Sequence, residues 1–382
     1  MQSIKAIFSP ILAAAVFLGA NAAQAQLNVG VNLSSSGAGA SQGMPQRNLI
    51  EILPKQIRGM SVNYIVLDNA TDPTVALRNA RKLTTENNVD VLISGSTTPT
   101  AMAAAEVAFE TKTPMFSMAP LSLPADRSAW VFPMPQPTGL MVDAIAEHMK
   151  ANGVKSVGYI GFADAWGDLV HKALEAAATK HGLTIVNNER FQRTDQSAVA
   201  QALKTTVLRP DAVLIGGAGT PAALPHLALL ERGYSGKIYH THGVVNNDFL
   251  RVGGKQLEGA LAPIGPVVVA KDLAANDPVR KVANEFIELY EKAYGPGPVN
   301  AFATWAYDAY LLLGRALETV AQNAKPGTPE FRQALRDAIE QRTANTVGTN
   351  GIYNITPADH TGLDQRARVM VRVQNGNWVL AR

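Results

Sequence analysis

The 382-residue chain contains no cysteine. That excludes disulfides, thiolate-bound metals and a lipid-modified cysteine. Charge is sparse as well, with charged residues at 17% and a net charge of +3, and the cations are interspersed with anions. No basic stripe interleaved with aromatics runs along the chain, so nucleic acid is not an expected partner. Long apolar runs are missing except at the start, where an uncharged stretch of 15 residues covers 6–20. A spanning helix needs roughly 20 apolar residues. Lys5 precedes this stretch, Pro10 interrupts it, and Ala23-Gln24-Ala25 follows as a small-x-small cleavage site. The segment 1–25 therefore reads as a secretory signal peptide cut after Ala25. The mature chain would keep 382 − 25 = 357 residues and a net charge of +2 without Lys5. A chain of that size buries enough surface to be stable without disulfides. The expected compartment is the periplasm, and length suggests two domains.

What the chain does have is alternation. Short β-branched runs at 27–33, 61–67, 89–93 and 114–118 flank helical stretches at 43–57, 73–86 and 99–111. The series restarts with strands at 153–161, 184–190, 211–216 and 237–242 and helices at 166–181, 197–206 and 221–232. Such repetition predicts an α/β protein of two doubly wound lobes with parallel central sheets. Helices at 301–320 and 329–342 are assigned to the first lobe. A closing hairpin, 366–373 and 377–380 with its turn at Asn375-Gly376, is assigned to the second. The predicted division is 26–140 plus 267–348 for one lobe and 141–266 plus 349–382 for the other. Crossings near 138–143, 263–268 and 346–356 would form a multi-strand hinge.

Local signatures in this order resemble the type I periplasmic binding proteins, in their leucine/isoleucine/valine-binding branch. They are the Ser36-Gly37-Ala38-Gly39-Ala40-Ser41-Gln42-Gly43 loop, Leu67-Asp68-Asn69-Ala70-Thr71-Asp72-Pro73, Ser94-Gly95-Ser96-Thr97-Thr98, Thr113-Pro114-Met115-Phe116-Ser117, and Gly161-Phe162-Ala163-Asp164-Ala165-Trp166-Gly167. The resemblance spans the mature chain. It implies a small ligand held between the lobes and a closed form that docks on the permease of an ABC importer. It implies no catalysis and no cofactor, and a monomer is expected.

Open α/β sheets bind ligands beyond the carboxyl ends of their strands, beside helix N-termini. Ser96, Thr97 and Thr98 sit at such a point, with Thr98 read as the N-cap and Pro99 as the first helical residue. Free N–H groups there would seat a carboxylate. Ala119, Pro120 and Leu121 follow the next strand and should line the same cleft. The resemblance places His242 where amino-acid-binding relatives have the acid that pairs with the ligand ammonium, and Leu121 where they have a hydroxyl. Trp166, Gln42 and Gly219 (with Thr220 beside it) stand where relatives have tyrosines, giving one aromatic wall and a widened cleft. The expected ligand is thus a small organic carboxylate, aromatic or keto in kind, which some members of that branch take. A branched-chain or other amino acid is the alternative, as is presentation of the ligand to a sensor protein.

Three further motifs compete. Gly39-Ala40-Ser41-Gln42-Gly43 has the spacing of a nucleophile elbow but lacks an earlier strand to complete an oxyanion hole. Gly37-Ala38-Gly39 with Gly43 and Asp68 is an imperfect dinucleotide fingerprint. His240 and His242 share one side of the predicted strand, yet a usable metal site needs three or four ligands.

Overall fold

The computed structural model describes residues 26–297, 299–320 and 324–381. The expected signal peptide lies outside them. Among the described residues no helix is long and apolar enough to cross a membrane.

The first sheet contains β1 (Gln26–Leu33), β2 (Gln56–Ile57), β3 (Met60–Asp68), β4 (Val91–Ser94), β5 (Met115–Ser117) and β6 (Val131–Pro133), in the order β2-β3-β1-β4-β5-β6. All neighbours are parallel except β2 and β3. The second contains β7 (Ser156–Phe162), β8 (Thr184–Phe191), β9 (Ala212–Gly216), β10 (Lys237–His240) and β11 (Leu261–Ile264). After the two-stranded ribbon of β12 (Thr346–Val347) and β13 (Ile352–Tyr353), the hairpin β14 (Val369–Gln374) and β15 (Asn377–Leu380) completes it. Its order is β15-β14-β11-β10-β9-β7-β8. The five strands from β8 to β11 are parallel, while β14 and β15 are added antiparallel.

Helices cover both faces of each sheet: α1 (Ala40–Ile52), α2 (Pro73–Arg81), α3 (Thr98–Thr111), α4 (Thr138–Ala151), α5 (Ala165–His181), α6 (Val199–Val207), α7 (Ala223–Glu231), α8 (Asn247–Gly253), α9 (Pro278–Tyr294), α10 (Ala301–Val320) and α11 (Pro329–Arg342). Local chemistry sets their ends. Asp72 accepts from Thr74 N and Val75 N to start α2, with Pro73 in the first turn. α1 stops at Ile52 rather than running to 57, because Pro54 cannot continue the helical bonding. The closing hairpin turns at Asn375 and Gly376, both at positive φ (52° and 71°), as a two-residue hairpin requires.

The expected two-lobed α/β architecture is what the chain adopts. Core residues Leu27, Val29, Phe116, Phe286, Leu312 and Phe331 cluster in the first lobe, and Val157, Ile160, Leu174, Val213, Phe249 and Val371 in the second. α10 packs against α1 and α11, within the first lobe. Tyr353, Ile355, Leu363 and Ala367 also join that core. The third passage between sheets therefore lies at 367–369 rather than 346–356. The first lies before α4, at 134–137, since α4 packs on α5 and β11.

The passages meet in a buried polar knot. Asp308 of α10 accepts from Thr349 N (2.7 Å), Thr349 Oγ1 (2.9 Å), Asn350 N (3.2 Å), Asn350 Nδ2 (2.9 Å) and the Tyr353 hydroxyl (2.9 Å). Gln136 Nε2, in the first passage, donates to Asn350 Oδ1 and to the Ala367 carbonyl of the third, both at 3.2 Å. Gly265, in the second, presses so close that a Cβ there would lie 2.3 Å from Asn350 Oδ1.

Candidate functional site

In the first sheet the strand order reverses direction between β1 and β4, and in the second between β7 and β9. The loops leaving those strands open a crevice at each switch point, and the two crevices face one another. Between them lies a cavity of about 20 Å³, far smaller than ligand pockets of ~300–1,000 Å³. The first lobe supplies Gln42 from α1, Ser96, Thr97 and Thr98 from the β4–α3 junction, Ala119 and Pro120 after β5, and Phe302 and Trp305 from α10. The second supplies Trp166 from α5, Arg193 after β8, Ala218 after β9, and His242 and Gly243 after β10.

Most of the expected site residues are therefore brought together: Gln42, Ser96, Thr97, Thr98, Ala119, Pro120, Trp166 and His242. Leu121 is not among them. It lines a separate hollow of the first lobe beside Ser128 and His360, because the chain turns away after Pro120. Gly219 and Thr220 stand at the edge of the cavity, where the lobes touch: Thr220 N donates to Ser41 Oγ at 3.1 Å. Gly219 has φ 63° and ψ −162°, a region open essentially to glycine alone. An added Cβ would lie 2.6 Å from Ser41 Oγ and 3.2 Å from Gln42 Nε2, both on the opposite lobe. Gly219→Ala should therefore destabilise its loop by about 1–3 kcal/mol and hinder closure, lowering ligand affinity at least about tenfold. Calorimetric titration checks this, and wild-type affinity would contradict the closure contact.

At the β4–α3 junction the N-cap is Thr97, not Thr98, and Pro99 is the second helical residue. The hydroxyls there serve the fold. Ser96 Oγ accepts from Ser34 N and donates to Gln46 Oε1 (2.7 Å), and Thr97 N donates to Thr100 Oγ1. Thr98 Oγ1 donates to the Pro120 carbonyl at 2.7 Å, tying the loop after β5 to the start of α3. What this junction turns toward the cavity is the positive end of the helix.

The opposite wall is aromatic. Trp166 Nε1 donates to the Gly217 carbonyl (3.3 Å), which fixes the indole against the second lobe. His242 meets Trp166 edge-on, with centroids 5.5 Å apart, and Trp305 at 6.0 Å. Phe302 backs Trp305 at 4.9 Å. Burial holds the His242 imidazole neutral, with its pKa lowered to about 4.

Sequence reading missed Arg193, Ala218, Gly243, Phe302 and Trp305. Arg193 lies in a loop like many surface loops, but Asp164, the N-cap of α5, turns it inward. Asp164 Oδ2 accepts from Arg193 Nε at 2.5 Å, and the guanidinium stacks over Phe162 at 4.1 Å. Its side chain is 11% exposed.

Four lining groups have buried nitrogens with no hydrogen-bond partner: Gln42 Nε2, Arg193 Nη1, His242 Nε2 and Trp305 Nε1. Amide, guanidinium and indole nitrogens donate, and a neutral imidazole nitrogen can do so. None of the residues lining the cavity is acidic.

The competing motifs find other employment. Ser41 Oγ is engaged by the Thr220 amide. Asp68 caps its own neighbourhood, accepting from Ser35 N, Ser36 Oγ and Ala70 N. His240 ends β10 and its Nε2 contacts His226 Nδ1 at 2.9 Å, whereas His242 lies in the next turn and faces the cavity, so the two imidazoles do not converge.

Comparison with known proteins agrees with this architecture. The model of the periplasmic binding protein family matches residues 26–377. A search of curated proteins finds no match. Among solved structures, an extracellular ligand-binding receptor from Rhodopseudomonas palustris HaA2 is 41% identical. The match covers 94% of this chain and all of that one, with a TM-score of 0.91. Two others share the fold at lower identity. A leucine-binding protein from Thermotoga maritima MSB8 is 24% identical over 93% of this chain and 98% of its own, with a TM-score of 0.79. A solute-binding protein of an ABC transporter from Rhodopseudomonas palustris BisB5, in complex with 3,4-dihydroxybenzoic acid, is 21% identical over 92% and 95%, with a TM-score of 0.77. With two doubly wound lobes closing on a cavity and a family match over nearly the whole described chain, this protein belongs to the periplasmic binding protein family and has its type I fold.

Proposed function

We propose that the chain is the exported, monomeric solute-binding component of an ABC importer, and that it closes on a small aromatic or keto carboxylate without turning it over. The observation that carries this reading is the one-sided chemistry of the cavity. It offers unpartnered nitrogens at Gln42, Arg193, His242 and Trp305 and no acidic side chain. A buried donor without a partner costs free energy that a ligand oxygen restores. A carboxylate supplies several acceptors at once, whereas an ammonium would need acceptors of its own. Trp166, Phe302 and Trp305 suit a flat, apolar ligand body. The relative in complex with 3,4-dihydroxybenzoic acid supports the reading, since the same fold there holds an aromatic acid.

Titration with benzoate, phenylpyruvate and leucine tests the ligand class. The acids should bind and raise the melting temperature, by an amount equivalent to about 2.7 kcal/mol at a hundredfold excess over Kd. Leucine should do neither. Binding of leucine alone would overturn the assignment. Arg193→Gln removes a charged donor while keeping much of the side-chain length. A hydrogen bond to a charged group is worth about 1.5–3 kcal/mol, so the variant should bind the acid roughly 10- to 150-fold more weakly. Unchanged affinity in that variant would remove Arg193 from the site.

A further inference from the structure

We infer that Thr304 is a positioning residue that ties closure of the cleft to the hinge, and that it does so without touching the ligand. The inference rests on the reading that the lobes close on a ligand, and it holds whatever that ligand is. α10 straddles the boundary between the lobes. Its first residue, Ala301, packs in the core of the second lobe, and the next, Phe302, in the core of the first. Ala301 N donates to the Val245 carbonyl of the second lobe at 3.3 Å. Val245 N in turn donates to the His242 carbonyl at 3.3 Å, and His242 lines the cavity. The first turn of a helix has amides without a partner of their own, and here the opposite lobe supplies one.

Thr304 lies one turn further on, on the same face as Ala301 and Asp308. It is fully buried, and its hydroxyl both donates and accepts. Oγ1 donates to the Ala301 carbonyl at 2.6 Å and accepts from Asn350 Nδ2 at 3.0 Å. Asn350 Oδ1 accepts from Gln136 Nε2, which also reaches the Ala367 carbonyl. A run of buried hydrogen bonds thus leads from the loop that carries His242, through the first turn of α10, to the first and third passages. A threonine inside a helix can satisfy its hydroxyl on the preceding turn alone. Thr304 does so and also takes a donor from the hinge. Valine would fill the same space without the cost of burying a hydroxyl, so packing alone does not account for the threonine. When the lobes part, Val245 leaves Ala301 and the first turn of α10 loses its outside partner. Thr304 passes that change to Asn350 and so to Gln136, and the coupling runs equally in reverse.

The chain lacks cysteine, so one spin label can be placed on each lobe, through Met44→Cys on α1 and Lys172→Cys on α5, both exposed positions. The separation of the labels is measured on the mature protein alone, with benzoate and with leucine, short separations reporting the shut form and long ones the parted lobes. Thr304→Val should lower the ratio of short to long at least about threefold, and weaken by a similar factor whichever probe binds. Thr304→Ser should restore both. Melting temperatures separate this from a purely structural role, which would lower them and leave the ratio as in the wild type. Gln136→Leu, at the hinge end, gives a second variant should the first fold poorly, and it should shift the ratio the same way. The effect of the double variant should fall short of the product of the two. An unchanged ratio in Thr304→Val and Gln136→Leu, or effects that simply multiply, would overturn the inference, and so would labels that never reach the short separation. A shifted ratio with leucine bound and benzoate not would leave the inference standing and overturn the aromatic-acid reading.

Discussion

Asp308→Ala should destabilise the protein by at least about 3 kcal/mol, read as a fall in the urea midpoint. The residue is fully buried, and its carboxylate is the common acceptor for Thr349, Asn350 and Tyr353. Removing one partner of a buried hydrogen bond costs about 1–3 kcal/mol for each group left unsatisfied, and here several are left at once. Asp308→Asn keeps the volume but turns an NH₂ toward donors. It should cost less than alanine only because the Tyr353 and Thr349 hydroxyls can rotate to accept. The same lesion should reach function. Asn350 joins Gln136 of the first passage, and Gln136 joins Ala367 of the third, so loosening the knot should also alter the balance between open and closed lobes. A midpoint within 1 kcal/mol of wild type would show that the knot is not structural.

Acid should weaken the fold well before its carboxylates titrate. His226 Nε2 contacts the Gln256 carbonyl at 3.0 Å, which can only accept, so that nitrogen bears the proton. Nδ1 of the neutral ring then accepts from His240 Nε2 at 2.9 Å, leaving His240 Nδ1 bare and unpartnered. Burial lowers the pKa of His226 to about 4 and that of His242 likewise, and His240 is lowered by burial and by His226. These folded values lie below the unfolded value of 6.5, so below it the unfolded chain binds the extra protons. The stability these residues contribute is complete above pH 6.5 and is lost as pH falls toward 4. A shift of that size is worth about 3 kcal/mol for each of His226 and His242. Asp143, lowered to about 2 by its Lys180 and His181 hydrogen bonds against the cost of burial, contributes a separate loss below its ordinary value of 3.8. Melting temperatures at pH 7.5, 6 and 5 should therefore fall steadily, and His226→Gln should flatten the slope. A level profile over that range would contradict neutral buried imidazoles.

The order of elements was legible where strands carry β-branched runs and helices open on a cap, as at Asp72-Pro73. Strand β6 was not, since Val131-Phe132-Pro133 is too short to show alternation and ends in proline. α4 escaped as well, its residues being read as a crossing. The site was legible where position in the fold decides the role, as at the β4–α3 junction, at Trp166 and at His242. It was illegible where a partner from another loop decides it. Nothing in Gln192-Arg193-Thr194-Asp195 says that Asp164 will draw Arg193 inward. Trp305 sits in a helix whose apolar stripe reads as core throughout, and only the placement of α10 against the crevice gives its indole nitrogen a task.

At the mouth of the crevice the lobes touch through the Ser41 hydroxyl and the Thr220 amide, groups that water serves almost as well when they part. Such an exchange contributes only about 0.5–1.5 kcal/mol, at most roughly a tenfold bias in population. The Ala301 amide also reaches the Val245 carbonyl across the lobes at 3.3 Å and Trp305 meets His242, and the cargo adds to these contacts. A membrane partner gripping both halves at once would thereby sense whether freight is aboard, and an empty carrier would seldom compete for the berth.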